Sequence, residues 1–126
     1  MSGRQAALSR IFISYRREDS LAVASALARD LRRLLSADVF LDHSSLEPGE
    51  PWPNRLREAV KAADAVLVVI GGRWLTLQTA DGIRRLDDPE DWVRQEIETA
   101  LGQGRPIVPL LVDTSRSALA ATVRRL

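Results

Sequence analysis

The chain has 126 residues, of which 45% are hydrophobic and 28% charged, and its formal net charge is +1. This size and composition predict one soluble domain with a substantial core, and the small charge argues against nucleic-acid binding. The sequence contains no cysteine and one histidine, His43, so disulfides, thiolate metal sites and histidine metal clusters are excluded. The apolar runs are too short to span a membrane. We therefore expect a cytoplasmic protein without a metal site.

Apolar, β-rich runs alternate with helical patterns after residues 1–9, which we predict to be a disordered lead-in. The runs predict strands at Ile11 to Tyr15, Val39 to Leu41, Ala65 to Ile70 and Ile107 to Val112. The patterns between them predict helices at about Ser20 to Leu35, Trp52 to Ala63 and Pro89 to Leu101, with a last helix ending at Leu126. This alternation predicts a flavodoxin-like three-layer α/β domain over residues 10–126. Its parallel sheet would carry helices on both faces and end before a fifth strand.

The third helix carries an aromatic side chain and an acid on one face. Asp88 is the predicted N-cap, and Pro89 suits the first helical position. Trp92 and Glu96 lie about 40° apart around the helix axis, whereas Glu98 falls on the far, solvated side. We expect Glu96 where the core meets water. From the pattern alone, an ordinary border glutamate beside a half-buried tryptophan is the commoner explanation.

The predicted crevice of the sheet coincides with this helix. Open parallel sheets bind ligands beyond the carboxyl ends of their strands, where the strand order reverses. In a flavodoxin-like order, Ser14 to Arg17 and Gly71 to Trp74 would meet there, and the third helix follows the same third strand. The connection over residues 71–88 is long for a compact domain, which favours a functional loop.

Taken in order, these segments resemble the Toll/interleukin-1 receptor (TIR) domain from Arg10 to about Asp113. The first strand region reads RIFISYRRED, the next loop LDHSSLEPGEPW, the third strand AVLVVIGG, and DWVRQEIETAL and GRPIVPLLVD follow. The chain is most similar to the branch that includes bacterial TIR effectors and the animal axon-degeneration TIR enzyme. Members of that branch cleave NAD.

The resemblance implies the site residues. Glu96 matches the glutamate of the family's Trp-x-x-x-Glu helix and would be catalytic, while Trp92 would border the nicotinamide riboside pocket. Tyr15 and Arg16 match positions that line the substrate cleft. The predicted substrate-binding set also contains residues that end the first strand or follow the third, namely Ser14, Gly71 and Trp74.

Such a sparse site suits NAD as a substrate, with no cofactor. Nicotinamide leaves its cationic ring as a neutral molecule, so one carboxylate can suffice by stabilising the positive charge that develops on the ribose. Arg16 could meet the pyrophosphate, and the Gly71 amide could approach a phosphate. A solvated arginine and an ordinary glycine turn explain the same residues. Trp74 would either wall the cleft or anchor the long loop.

The segment from Asp42 to Trp52 is rich in proline and glycine, which favours a projecting loop over an ordinary turn. The resemblance implies that such loops pack TIR domains against one another. The residues assigned to self-association are Asp42, Leu46, Pro48 and Gly49. We expect a homo-oligomeric assembly, a fused or associated sensor domain outside this sequence and a role in bacterial defence.

Two other interpretations compete with an enzyme. A non-enzymatic TIR adaptor would assemble through its surface alone, and the pairing of Glu96 with Trp92 argues against it. A phosphoacceptor receiver domain shares the fold but requires clustered acids after the first strand. The sequence has Ser14 and Tyr15 there instead.

Overall fold

Strands and helices alternate through the part of the chain that the computed structural model describes, residues 9–42 and 51–112. In chain order they are β1 (Arg10–Ser14), α1 (Arg17–Leu35), β2 (Asp38–Phe40), α2 (Asn54–Ala62), β3 (Ala65–Ile70), α3 (Trp92–Gly102) and β4 (Ile107–Leu111). The lead-in, the predicted last helix and three self-association residues, Leu46, Pro48 and Gly49, lie outside the described residues. No helix in the described part is both long enough and apolar enough to cross a bilayer.

The strands form one parallel sheet in the order β2-β1-β3-β4. Ile11 of β1 pairs with Val39 on one side and with Ala65 on the other. This order confirms the flavodoxin-like prediction, because the chain reverses its direction of travel across the sheet between β1 and β3. A crevice is therefore expected at the carboxyl ends of these two strands.

The two faces of the sheet are covered by different helices. Side chains alternate along a strand, so Phe12 packs in a cluster with residues of α2 and α3, while Ile13 packs in the cluster of α1. Each of these side chains is almost fully buried, which stabilises the fold by about 1.5–3 kcal/mol per residue. By the same alternation, Ser14 shares the face of Phe12. The last residue of β1 is thereby directed toward the face that carries α3.

Two helices begin later than the sequence pattern predicts. The residue before a proline is disfavoured in helical geometry, so Pro53 keeps Trp52 out of α2, which starts at Asn54. The predicted N-cap of α3 was wrong. Asp88 accepts a hydrogen bond from Glu90 N at 3.0 Å within a turn, and Asp91 caps the helix instead by accepting from Arg94 N at 3.0 Å.

Candidate active site

Glu96 is buried at the carboxyl end of β1, deeper than predicted. The buried residues of α3 are Val93, Glu96 and Ala100, whose three- and four-residue spacing forms one row along the helix. Leu101, the last residue of the predicted helix, is 66% exposed. The helix is thus rotated so that Glu96 is 7% exposed and lies within the contact with the sheet.

Two polar atoms, Glu96 Oε1 and Ser14 Oγ, are buried close to each other at this point, and neither makes a hydrogen bond of good geometry. Buried polar groups are nearly always hydrogen-bonded, because an unsatisfied one costs about 1–3 kcal/mol. Unsatisfied buried atoms also occur at Ser20, Trp52, Trp74 and Arg105, so what distinguishes this place is a carboxyl group beside a hydroxyl. Both atoms are buried, so a ligand binds to them only if the surrounding side chains move.

Burial raises the pKa of Glu96 to about 8. A hydrogen bond from the neighbouring Ser14 hydroxyl opposes this shift, and the negative charges of Asp91 and Asp42 add to it. The positive charge of Arg16 acts in the opposite direction. Near neutral pH the Glu96 carboxyl is therefore mainly protonated, and a cation entering the site would favour its ionised form.

Arg16 is an internal residue in this structure. Its guanidinium donates from Nη1 and Nη2 to the two carboxylate oxygens of Asp91, each at 2.9 Å, and from Nε to the Trp74 carbonyl oxygen at 3.0 Å. The guanidinium also lies 5.6 Å from the centre of the Trp74 ring, within the range of a cation-π contact. At 3% exposure, Arg16 does not present a cation to the surface. Its predicted contact with a pyrophosphate stays a prediction.

The long connection over residues 71–88 is fastened to the first turn of α1. Asp19 accepts hydrogen bonds from Gly71 N at 2.8 Å and from Arg73 N at 2.7 Å. Arg85 donates to both carboxylate oxygens of Glu18, and this pairing lowers the pKa of Glu18 to about 2. The Gly71 amide is therefore already occupied by an internal carboxylate and is not available to a phosphate here.

We expect Gly71→Ala to destabilise the fold. A Cβ at this position would lie 2.7 Å from both carboxylate oxygens of Asp19, which the two amides hold in place. Moving Asp19 away would cost about 1–3 kcal/mol of unfolding free energy. Gly72→Ala is the matched control, because a Cβ there meets nothing within 4 Å. Urea unfolding of both variants measures the difference, and equal stabilities would contradict this account of the loop.

Of the remaining predicted site residues, Tyr15 and Trp92 are half-buried, whereas Trp74 is almost fully buried. Tyr15 is half-buried and donates its hydroxyl to the Asp42 carbonyl oxygen, and it lies near enough to Glu96 for the acid to raise the pKa of its phenol, beyond the larger effect of burial. Trp92 is half-buried, packs against the core and shares a helix face with Glu96. Trp74 is 2% exposed, as expected of a residue that anchors the long loop, and its predicted contact with substrate stays a prediction.

The structure thus places Ser14, Tyr15 and Glu96 close together, beside Asp42 at the start of the loop that follows β2. Asp91 is the residue that the sequence pattern did not single out, because its role depends on Arg16, which is 75 residues away in the chain. No cluster of three potential metal ligands occurs within residues 9–42 and 51–112. A shallow hollow between Arg10, Asp38 and Ala62 lies at the amino edge of the sheet, away from Glu96.

Comparisons with known proteins agree with the resemblance. A family model described as TIR domain matches residues 11–125. NAD(+) hydrolase sarm1 of Drosophila melanogaster is 32% identical over 104 residues, which is 80% of this chain and 7% of that protein. NAD(+) hydrolase SARM1 of Danio rerio is 34% identical over 100 residues, 79% of this chain and 13% of that protein. The chain therefore spans only a small part of these relatives.

Solved structures share the fold at low sequence identity. The TIR domains of the activated Roq1 resistosome, which directly recognizes the pathogen effector XopQ, match with a TM-score of 0.60 and 18% identity, covering 93% of this chain and 69% of that chain. The TIR domain of the Toll-related receptor TRR-2 from Hydra magnipapillata matches with a TM-score of 0.55 and 17% identity, covering 84% and 72%. At these identities the likeness establishes the fold alone.

Proposed function

This chain belongs to the TIR domain family, and we propose that it cleaves the bond between nicotinamide and ribose in NAD. The observation that carries the proposal is the buried carboxyl of Glu96, which lies beside Ser14 at the carboxyl end of β1 and has a raised pKa. Support also comes from the two similar proteins named NAD(+) hydrolase. NAD is the substrate in this proposal, and no cofactor is needed.

One carboxylate is enough for the chemistry. The bond between ribose and nicotinamide breaks with its electron pair moving onto the nicotinamide nitrogen, so a cationic ring leaves as a neutral molecule and needs no proton. Positive charge then develops on the ribose, where the Glu96 carboxylate stabilises it. Water completes the reaction by giving ADP-ribose and a proton, or a nucleophilic atom elsewhere in the same molecule gives a cyclic product.

Burial strengthens the interaction of the Glu96 carboxylate with positive charge, and it also makes ionisation of this group depend on a nearby cation. A carboxylate that is poorly solvated interacts strongly with a nearby positive charge, because little water screens it. The pKa of about 8 means that the empty site holds a mainly neutral acid. The nicotinamide cation, placed against Trp92, favours ionisation, so substrate binding itself generates the charged group.

We extend the proposal to self-association and to bacterial defence in the cytoplasm. The loop that follows β2 begins at Asp42, whose carbonyl oxygen is bound by the Tyr15 hydroxyl close to Glu96. The position of Asp42 beside the site supports a loop that both contacts a second copy and influences the cleft. The self-association assignment comprises Asp42, Leu46, Pro48 and Gly49. A sensor domain would bring the copies together.

We expect nicotinamide release to depend on clustering. Concentrated protein immobilised on beads or mixed with a crowding agent should cleave NAD at least tenfold faster than dilute protein, and release is followed by chromatography. An unrelated protein immobilised on the same beads serves as the control for an effect of the bead surface. If clustered protein releases no nicotinamide, the proposed activity fails and a non-enzymatic TIR adaptor is the remaining function.

The pH dependence of cleavage should report the raised pKa of Glu96. We expect kcat/KM to increase with pH and to level off above about 8, because this parameter reflects the ionisation of the free enzyme. For kcat the increase should occur at lower pH, since the bound cation favours the carboxylate. Initial rates between pH 5 and pH 9 test both statements. An increase that ends near pH 5 in both parameters would contradict a buried catalytic acid.

A further inference from the structure

Arg16 joins three segments that the sequence keeps far apart. It follows β1 directly, and its guanidinium binds the Trp74 carbonyl oxygen in the loop after β3 and the Asp91 carboxylate at the start of α3. Both side chains of the ion pair are almost fully buried, at 2% and 7% exposure. A bidentate pair between these groups fixes an orientation as well as a distance.

Asp91 both pairs with Arg16 and caps α3. Its Oδ2 accepts a hydrogen bond from Arg16 Nη2 at 2.9 Å and another from Arg94 N at 3.0 Å, and the second bond is the N-cap of α3. A cap fixes where a helix starts and how the chain enters it. Because Glu96 lies five residues after Asp91, in the second turn of α3, the pair determines how the helix is placed against the end of β1.

We infer that Arg16 and Asp91 are positioning residues that hold the Glu96 carboxyl against the end of β1 through the first turn of α3. This inference rests on the proposed function of the same site. It also gives Arg16 a role different from binding the substrate's phosphates. The three nitrogens that would form such contacts are engaged with Trp74 and Asp91.

The charges of the pair act on Glu96 in opposite directions. Asp91 raises the pKa of Glu96 more than Arg16 lowers it, so removing both charges changes the local electrostatics less than removing Asp91 alone. Removing both charges together therefore tests the position of the Glu96 carboxyl. Removing only one of them would leave the other as an unpaired charge in a buried site. Arg16→Met with Asp91→Asn is the suitable double variant, because methionine fills similar space and asparagine still caps a helix.

The experiment measures two properties of this double variant at a temperature where circular dichroism shows it folded. We expect kcat for NAD cleavage to decrease about 10- to 100-fold with KM changed less than threefold, since a displaced carboxylate stabilises the transition state poorly but hardly affects binding. We also expect the pKa of Glu96, followed by carbon NMR of labelled glutamate and assigned with Glu96→Gln, to fall toward the ordinary range as water reaches the carboxyl. Arg16→Lys, which keeps the charge, should recover part of kcat.

The matched control is the Arg84→Met, Asp87→Asn double variant. Arg84 binds both carboxylate oxygens of Asp87 at 3.0 and 2.8 Å, but this pair lies on the surface of the long loop. It should leave kcat and the pKa of Glu96 unchanged. A folded Arg16 and Asp91 double variant with unchanged kcat and unchanged pKa overturns the inference. If the unaltered protein releases no nicotinamide, the proposed function fails, and the NMR measurement alone decides about positioning.

Discussion

Glu96→Gln is expected to lower kcat for nicotinamide release by about 100- to 1000-fold, the loss seen when a group aimed at developing charge is removed. Glutamine keeps the shape of the side chain and its place in the buried row of α3, but it cannot carry the negative charge that the ribose requires. Binding of NAD should change much less than turnover, because the charge matters most in the transition state. Steady-state rates of the clustered protein give both parameters.

Glu98→Gln is the control for this substitution. Glu98 lies on the same helix, two residues farther on, and its carboxylate binds Arg94 Nε at 3.1 Å on the exposed side. Its replacement should leave kcat within about twofold, because exposed ion pairs contribute at most about 1 kcal/mol. Equal turnover of the Glu96→Gln variant and the unaltered protein would remove Glu96 from catalysis.

The sequence predicts the sheet well because its strands are continuous apolar runs. Ala65–Ile70 has the predicted bounds, the first two strands each begin and end one residue earlier than predicted, and the last strand ends one residue earlier. The parallel order follows from the helices between the strands, and the family match over residues 11–125 agrees with it. Such features depend on local pattern and on a short set of allowed topologies, so a single sequence contains them.

The site is predicted less completely because its chemistry depends on distant partners. Periodicity places Trp92 and Glu96 on one face, but it does not give the rotation of α3 that buries Glu96. Nor does spacing reveal that Asp19 occupies the Gly71 amide or that Arg16 binds Asp91. In both cases a group that looked available to a ligand, the Gly71 amide or the Arg16 guanidinium, has an internal partner more than 50 residues away in the chain. Tertiary contacts decide which charges face a ligand.

The buried acid should make the stability of the fold depend on pH. In the folded protein the pKa of Glu96 is about 8, whereas in the unfolded chain it returns to about 4.5. Between these values the unfolded chain releases the proton and the folded protein keeps it, so rising pH favours unfolding. Stability contributed by the neutral acid is complete below about pH 4.5 and is lost as pH rises to about 8. The loss approaches about 5 kcal/mol at most if the carboxyl stays buried.

A comparison with Glu96→Gln isolates this effect, because the amide does not titrate and all other ionisable groups, including Glu18, are common to both proteins. We expect similar unfolding free energies near pH 4.5 and a growing advantage of the variant up to about pH 8, beyond which the difference is constant. Urea unfolding at half-unit steps of pH measures it. The same substitution should thus greatly lower turnover and stabilise the fold at alkaline pH, which is the expected result when a poorly solvated charge serves function at the expense of stability. A difference that stays constant from pH 5 to pH 9 would mean that Glu96 ionises freely in the folded protein.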